Sequence, residues 1–313
     1  MTNQRHISIL EEIKKSGGDL DMGKPNDSVL LIDGMNTFIR VFSAIPTTNE
    51  DGIHVGGIVG FLRSLAFNIN MIRPTRTIIV FDGKGGSNRR RKIFPQYKMG
   101  RKMSYRLNRA NNYLTREEEQ KMMIRQLNRV VEYLECLPIT LINIENNEAD
   151  DVIGYCTKHI FKNNKSTIMS TDKDFLQLVD ENTSVFRPVK TKTNKQGEFI
   201  DLEWMHQKEN IHPPNYALLK AVVGDKSDNI QGVKGIGEKT ARNQIHLLWD
   251  SEKSYDAGDF IDWAKGRSEK KYQRYIENEE LIKLNYSIVQ LQELEISMTA
   301  INAIDNSYKR DTP

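Results

Sequence analysis

Cysteine is scarce in this 313-residue chain: Cys136 and Cys156 are the only two, and no CxxC pair occurs. A disulfide scaffold and a cysteine-ligated zinc site are poor readings, and a reducing, cytoplasmic compartment is expected. Long apolar runs are missing too. No stretch approaches the roughly 20 consecutive apolar residues of a membrane-spanning helix, and the N-terminal MTNQRHISILEEIKKSGGDL lacks the continuous apolar segment of a secretory signal. A soluble protein with no membrane partner is expected. Net charge is small, +3 from 45 Lys+Arg and 42 Asp+Glu. Yet acids vanish from one long segment. Between Gly83 and Arg116 there is no Asp or Glu, while Lys84, Arg89, Arg90, Arg91, Lys92, Lys98, Arg101, Lys102, Arg106 and Arg109 are basic. Such a run is either a solvated arm or an anion-binding surface. The interleaved Phe94, Tyr97, Tyr105 and Tyr113 favour nucleic acid, since rings stack on bases while cations follow the backbone.

The rest of the chain reads as alternating strands and helices. Apolar runs at Val29–Ile32, Thr77–Phe81, Pro138–Ile144 and Ser166–Ser170 predict strands. Helical stretches are predicted from about Gly57 to Met71, from a capping box at Thr115 and Glu118 to about Glu135, and from Glu148 to Phe161. This alternation predicts an α/β fold with a mainly parallel central sheet flanked by helices. Residues 1–26 read as an extension, 27–205 as the core containing the basic segment at about 84–116, and 206–313 as a second, helical region. The segment Lys190–Gly197 reads as a basic turn between two strand-like pieces.

Acidic residues fall at particular places in that pattern. Asp33, Asp82 and Asp172 follow apolar strands, so a parallel sheet gathers them at one carboxyl edge, where open α/β sheets hold their sites. Glu148, Asp150 and Asp151 open a helix, Asp174 follows Asp172, and Asp225 and Asp228 sit in GDKSDN. Acids at a helix start have an ordinary capping explanation. Nine acids converging on one edge would repel strongly unless cations neutralised them. An all-oxygen donor set, free of Cys and His, suits Mg²⁺ or Mn²⁺ rather than zinc. Two such ions bridging a phosphodiester are the expected cofactor. Downstream, Gly232-Val233-Lys234-Gly235-Ile236-Gly237 followed by Glu238-Lys239-Thr240-Ala241-Arg242 reads as a glycine turn opening a helix. Such a turn lets a backbone approach phosphate closely.

In order and spacing, LLIDGMN, VFDGKG, YKMGR, NEADD, STDKDF and GDKSDNIQGVKGIGEKTA resemble the 5′ nuclease (flap endonuclease) family over roughly residues 27–250. The likeness is strongest to its stand-alone bacteriophage 5′→3′ exonucleases, including those termed ribonuclease H, and to the 5′ nuclease domain of bacterial DNA polymerase I. The resemblance implies a PIN-like 5′ nuclease fold with a helical arch and a helix-three-turn-helix. It implies a structure-specific 5′→3′ exonuclease and flap endonuclease that removes 5′ flaps and RNA primers in replication or repair.

By position, Asp33, Asp82, Glu148 and Asp150 match ligands of a first metal, and Asp172, Asp174 and Asp225 those of a second, with Asp151 and Asp228 in support. Lys98 and Arg101 match the basic pair at the arch base that contacts the scissile phosphate. Tyr97 matches an aromatic beside the nucleotide at the cut. Arg89, Arg90 and Lys102 are expected to attract the strand. Gly232, Lys234, Gly235, Gly237 and Lys239 match the hairpin that holds duplex DNA with K⁺. The implied partners are branched or 5′-ended duplexes, 5′ flaps and RNA–DNA hybrids, with a single-strand-binding protein or replication component beside them; the chain itself is expected to be a monomer. Residues 250–313 match no motif.

Overall fold

The computed structural model describes residues 24, 26–100, 115–188, 197–250, 252–294 and 296–309. The expected extension at 1–26 therefore lies almost wholly outside the described residues, as do Arg101, Lys102, Arg106 and Arg109 of the basic segment and most of the turn at 190–197.

Strand β1 (Ser28–Asp33) runs straight into helix α1 (Gly34–Ala44), and α2 (Gly56–Ile72) leads to β2 (Arg76–Asp82). Next come α3 (Asn88–Ile93), α4 (Arg116–Leu134), β3 (Thr140–Ile144), α5 (Ala149–Tyr155) and β4 (Lys165–Met169). β5 (Thr183–Arg187) and β6 (Glu198–Ile200) complete a sheet of order β3-β2-β1-β4-β5-β6. All its pairings are parallel except that of β5 with β6. The four expected strands are present within a few residues of their predicted ends. The α4 capping box forms as expected, with Thr115 Oγ1 accepting from Glu118 N. Helix α1 escaped the sequence reading, although Asp33 caps it by accepting from Asn36 N, and Phe38, Val41 and Phe42 recur at helical spacing on its buried side.

The strands are apolar on both faces because both faces are covered. Alternation then sorts the residues. Val29 and Leu31, with Ile78, Val80, Ile142 and Ile168, pack into the core shared with α5 and the C-terminal helices. Leu30 and Ile32, with Ile79, Phe81 and Met169, pack against Phe38 and Phe42 of α1, Phe61 of α2 and Val130 of α4. Parallel register puts the ends of β1, β2 and β4 at one edge: Asp33 pairs with Val80, and Ile32 with Met169. Gly83, directly after β2, has no room for a side chain, since a Cβ there would stand 1.7 Å from Ile144 O.

The helical region begins with α6 (Tyr216–Val223), followed by the two-residue strands β7 (Gly224–Asp225) and β8 (Ile230–Gln231). Then follow α7 (Glu238–Gln244), α8 (Ala257–Lys265), α9 (Lys270–Glu277), α10 (Glu279–Val289) and α11 (Met298–Lys309). No helix among the described residues is long and apolar enough to cross a membrane.

Candidate active site

At the carboxyl edge of β1, β2 and β4 a cavity of about 770 Å³ opens. Asp33, Asp82, Glu148, Asp150 and Asp172 line it, together with Arg40, Lys98 and Lys226. Asp33 is held by Asn36 N at 3.0 Å and by Ser170 Oγ at 3.1 Å. Burial pushes its carboxyl up to about 7, and the neighbouring charges of Asp82 and Asp172 act in the same direction. Asp82 accepts from Ala149 N at 2.8 Å, which ties the end of β2 to the start of α5. Asp172 caps a short 3₁₀ turn (Lys173–Leu178) by accepting from Asp174 N at 3.0 Å.

Around Glu148 the acids are met by cations. Arg90, 2% exposed, donates to Glu148, to Asp150 at 3.2 Å and to Asp151 at 2.9 Å, while its Nε donates to Ile288 O at 2.9 Å. Lys98 Nζ stands 2.5 Å from Glu148 Oε1, and Ser87 and Tyr97 hydroxyls donate to the same carboxylate at 2.9 and 3.1 Å. Burial alone would raise Glu148, but Arg90 and Lys98 outweigh it and hold the carboxyl down at about 2. Asp150 is pushed the other way, by burial and by its acidic neighbours Asp151 and Glu148.

A second group gathers Asp174, Asp225 and Asp228, whose carboxylate oxygens lie within 4.8 Å of one another. Lys220, at the end of α6, stands between Asp174, at 2.7 Å, and Asp225. Burial, reinforced by Asp172, brings Asp174 up to about 7, whereas Lys220 and Ser227 hold Asp225 down at about 2 against its own burial. Gln177 braces the Asp174 turn. Its Nε2 donates to Asp174 O at 2.8 Å and to Val289 O at 3.1 Å, and its Oε1 accepts from Leu291 N at 2.7 Å. The donors are all carboxylate oxygens, the kind hard divalent cations prefer. Among the described residues only Asp174, Asp225 and Asp228 bring theirs within 4.8 Å of one another, and there Lys220 is the counter-charge a cation would have to displace.

Family models for the 5′-3′ exonuclease match nearly the whole chain, the N-terminal resolvase-like domain over residues 28–210 and the C-terminal SAM fold over residues 211–307. The chain belongs to the 5′-3′ exonuclease family. A 5′-3′ exonuclease of Aquifex aeolicus is 31% identical over 277 residues, covering 87% of this chain and 84% of that protein. The thermostable DNA polymerase I of Thermus thermophilus is 33% identical over 224 residues, or 71% of this chain. This chain spans about a quarter of such polymerases, 24% in that case. Among solved structures, the T5 5′-exonuclease with bound zinc superposes with a TM-score of 0.69 at 24% identity, covering 90% of this chain and 97% of the other, a likeness of fold.

Within this 5′-3′ exonuclease-family chain, three sequence expectations need correction. Arg90 is not a strand-attracting cation: it is buried under three carboxylates and α10. Arg89 is likewise committed, 2.8 Å from Asp151 and only 18% exposed. Tyr97 cannot offer its ring to a nucleotide, being 2% exposed with its hydroxyl on Glu148 and, at 3.4 Å, on Asp228. In each case nearby carboxylates satisfied the group internally. Arg242, in the helix that the glycine turn opens, is ion-paired to Glu238 and Glu209. Lys234, Gly235, Gly237 and Lys239 are exposed as expected, and Gly235 takes the left-handed φ of +80° that the turn requires. Gly232 is packed against Val223 O.

Two residues of the site were not foreseen. Lys220 lies five residues before Asp225, at the end of the preceding helix, and that proximity was the available signal. Arg40 follows Asp33 by two helical turns and so lies on a related side of α1; its Nε and Nη2 are buried with no hydrogen-bond partner.

The raised carboxyls make the metal-free protein pH-sensitive. Asp33 and Asp174 ionise near 3.8 when unfolded and near 7 when folded, so between those values the native state binds more protons. Stability contributed by them is present below about 4 and lost as pH rises towards 7, by on the order of a few kcal/mol. Chelated protein should therefore melt at lower temperature at pH 7.5 than at pH 5, on the order of several degrees, with divalent cation restoring the difference. A flat or rising melting temperature over that range, followed by scanning fluorimetry, would contradict the burial of these groups.

Proposed function

We propose that this chain is a structure-specific 5′→3′ exonuclease and flap endonuclease, hydrolysing phosphodiesters of 5′ flaps, 5′-ended or branched duplexes and RNA–DNA hybrids with two Mg²⁺ or Mn²⁺ ions. The observation carrying this reading is the cavity where carboxylates from β1, β2, α5 and the turn after β4 converge with Lys98 on the wall. Asp33, Asp82, Glu148 and Asp150 would hold one ion, and Asp174, Asp225 and Asp228, with Asp172 beside them, the other, while Asp151 stays paired with Arg89 and Arg90. Bound divalent ions supply an activated water and neutralise the leaving oxygen.

The chain's own groups do the rest. Lys98 faces the cavity from a left-handed backbone, φ 53°, with its N–H donating to Asp228 O at 2.9 Å. Despite burial, the charges of Glu148, Asp150 and Asp228 keep its ammonium protonated well above neutral pH. There it opposes charge developing on the scissile phosphate, an effect exerted mainly in the transition state. Arg101 would share that contact, while Lys102 attracts the strand. Arg40's unpartnered guanidinium atoms suit an adjacent phosphate. The Gly232–Gly237 hairpin, with Lys234, Lys239 and a K⁺ ion, grips duplex away from the cut.

Incubation with a 5′-labelled flap duplex tests the reading: release of the flap with Mg²⁺ and none with chelator is expected. Cleavage that persists in chelator, or none with any divalent ion, would refute it. Lys98→Ala should lower the single-turnover rate about a hundredfold, with the dissociation constant within severalfold. A rate loss no larger than that of Lys102→Ala would reduce Lys98 to a steering charge.

A further inference from the structure

The residues beyond 250 carry no sequence motif of their own but lie within the C-terminal SAM-fold match, and there α9 comes back to the glycine hairpin. Arg274 Nη1 lies 3.3 Å from where a Cβ on Gly235 would stand. Two buried tyrosines dock the helix there. Tyr275 Oη donates to Gln244 Oε1 at 2.7 Å, and Tyr272 Oη to Gln244 O at 3.3 Å. Gln244 is the last residue of α7, the helix that the hairpin opens. Tyr272 and Tyr275 are 2% and 0% exposed, and Tyr275 also packs edge-on against Phe260 at 5.3 Å.

Helical periodicity then turns Lys270, Lys271 and Arg274 outwards, and all three are exposed. Lys271 has Glu269 at 4.0 Å; among the described residues, neither Lys270 nor Arg274 has a carboxylate within ion-pairing distance. On the hairpin side, Lys234 and Lys239 are exposed as well. The acid nearest in sequence, Glu238, is committed to Arg242 at 2.5 Å. Two elements far apart in sequence thus form one basic surface beside a turn whose backbone is open to approach.

We propose that α9 extends the hairpin into a single phosphate-binding surface, with Arg274 and Lys270 contacting the backbone of the duplex strand that the hairpin holds, and Lys271 beside them. This rests on the reading of the hairpin as a duplex grip. The chemistry is that of backbone binding without sequence readout: exposed guanidinium and ammonium groups and no aromatic ring offered for stacking. Lys270 and Arg274 stand one helical turn apart, about 5–6 Å, which suits phosphates one to two nucleotides apart at about 3.4 Å of axial rise each. The tyrosine–Gln244 bonds fix that spacing relative to Gly235 before DNA arrives.

Binding of a fluorescein-labelled blunt duplex to the full chain in chelator, followed by anisotropy across a salt series, tests the proposal. Arg274→Gln and Lys270→Gln should each weaken binding about 3- to 10-fold and lower the salt slope by about one. Arg274→Lys should keep the slope, and the cleavage rate at saturating flap substrate should stay unchanged. Both side chains are exposed, so unaltered melting temperatures are expected. Parental affinity and slope in Arg274→Gln would overturn the proposal, as would an equal loss in Arg274→Lys, which would mark a packing role. Gly235→Val separates the two readings. If it weakens duplex binding while Arg274→Gln does not, only the extension fails. If neither variant weakens it, the hairpin is no duplex grip.

Discussion

Asp172→Asn, and separately Asp82→Asn, should abolish flap cleavage in Mg²⁺ while leaving duplex affinity equal or tighter. Both carboxylates line the cavity, and each substitution removes one negative charge from the set proposed to hold the ions, and so from what repels a polyanion. If a bound ion contributes several kcal/mol to stabilising the transition state, losing it costs on the order of a thousandfold or more in rate. The two losses should not be additive, because both variants empty the same machinery. Substitution by Asn also removes repulsion: Asp33, which Asp82 and Asp172 help to push up to about 7, should ionise at lower pH in either variant. Single-turnover rates beside binding isotherms make the test. Near-normal cleavage by both variants would sink the assignment of these carboxylates to the ions.

The second large effect concerns stability as well as activity. Arg90→Met keeps side-chain bulk but removes the guanidinium that Glu148, Asp150 and Asp151 share, leaving only Lys98 on Glu148 and Arg89 on Asp151 to offset three largely buried carboxylates. Breaking a buried charge network from one side costs about 3–5 kcal/mol. It also releases Ile288 O, and with it the contact that ties the end of α10 to α3. The loss should depend on pH with a definite sign. Without Arg90 the carboxylates titrate higher in the folded state, so the destabilisation is largest at neutral pH and shrinks as they protonate towards pH 5. Divalent cation should recover part of it. Urea midpoints at the two pH values decide the matter: a loss below about 1 kcal/mol, or one independent of pH, would mean that the acids do not need Arg90.

Much of the frame was legible in the sequence, and for local reasons. An apolar run of four or five residues ended by Asp-Gly declares a buried strand and its exit, and β1 and β2 appear where LLID and IIVFD stand. Thr115 and Glu118 announced α4 because a capping box is made within four residues. The acids at strand ends and at the start of α5 could be assigned to one edge because parallel pairing leaves no other arrangement. Helix α1 was missed although its signals were equally local, since Asp33-Gly34 also reads as a turn.

What the sequence by itself determined, then, is the first four strands, most helices of the core and the gathering of strand-end acids at one edge. All follow from spacing along the chain. Only the tertiary structure decided which charges are spent inside the protein and which remain for a ligand. Arg89 and Arg90 look like Lys98 in a run of basic residues, yet partners 58 to 62 positions away, Glu148, Asp150 and Asp151, commit them internally, whereas Lys98 lines the cavity. Tyr97 looked like a stacking platform until Glu148 and Asp228 took its hydroxyl. Conversely, Arg274 gained its place beside Gly235 through Tyr275 and Gln244, thirty-one positions apart. The physical reason is that a charge's free energy depends on the burial and neighbours around it, and those are set by sheet order and helix docking rather than by adjacency in sequence.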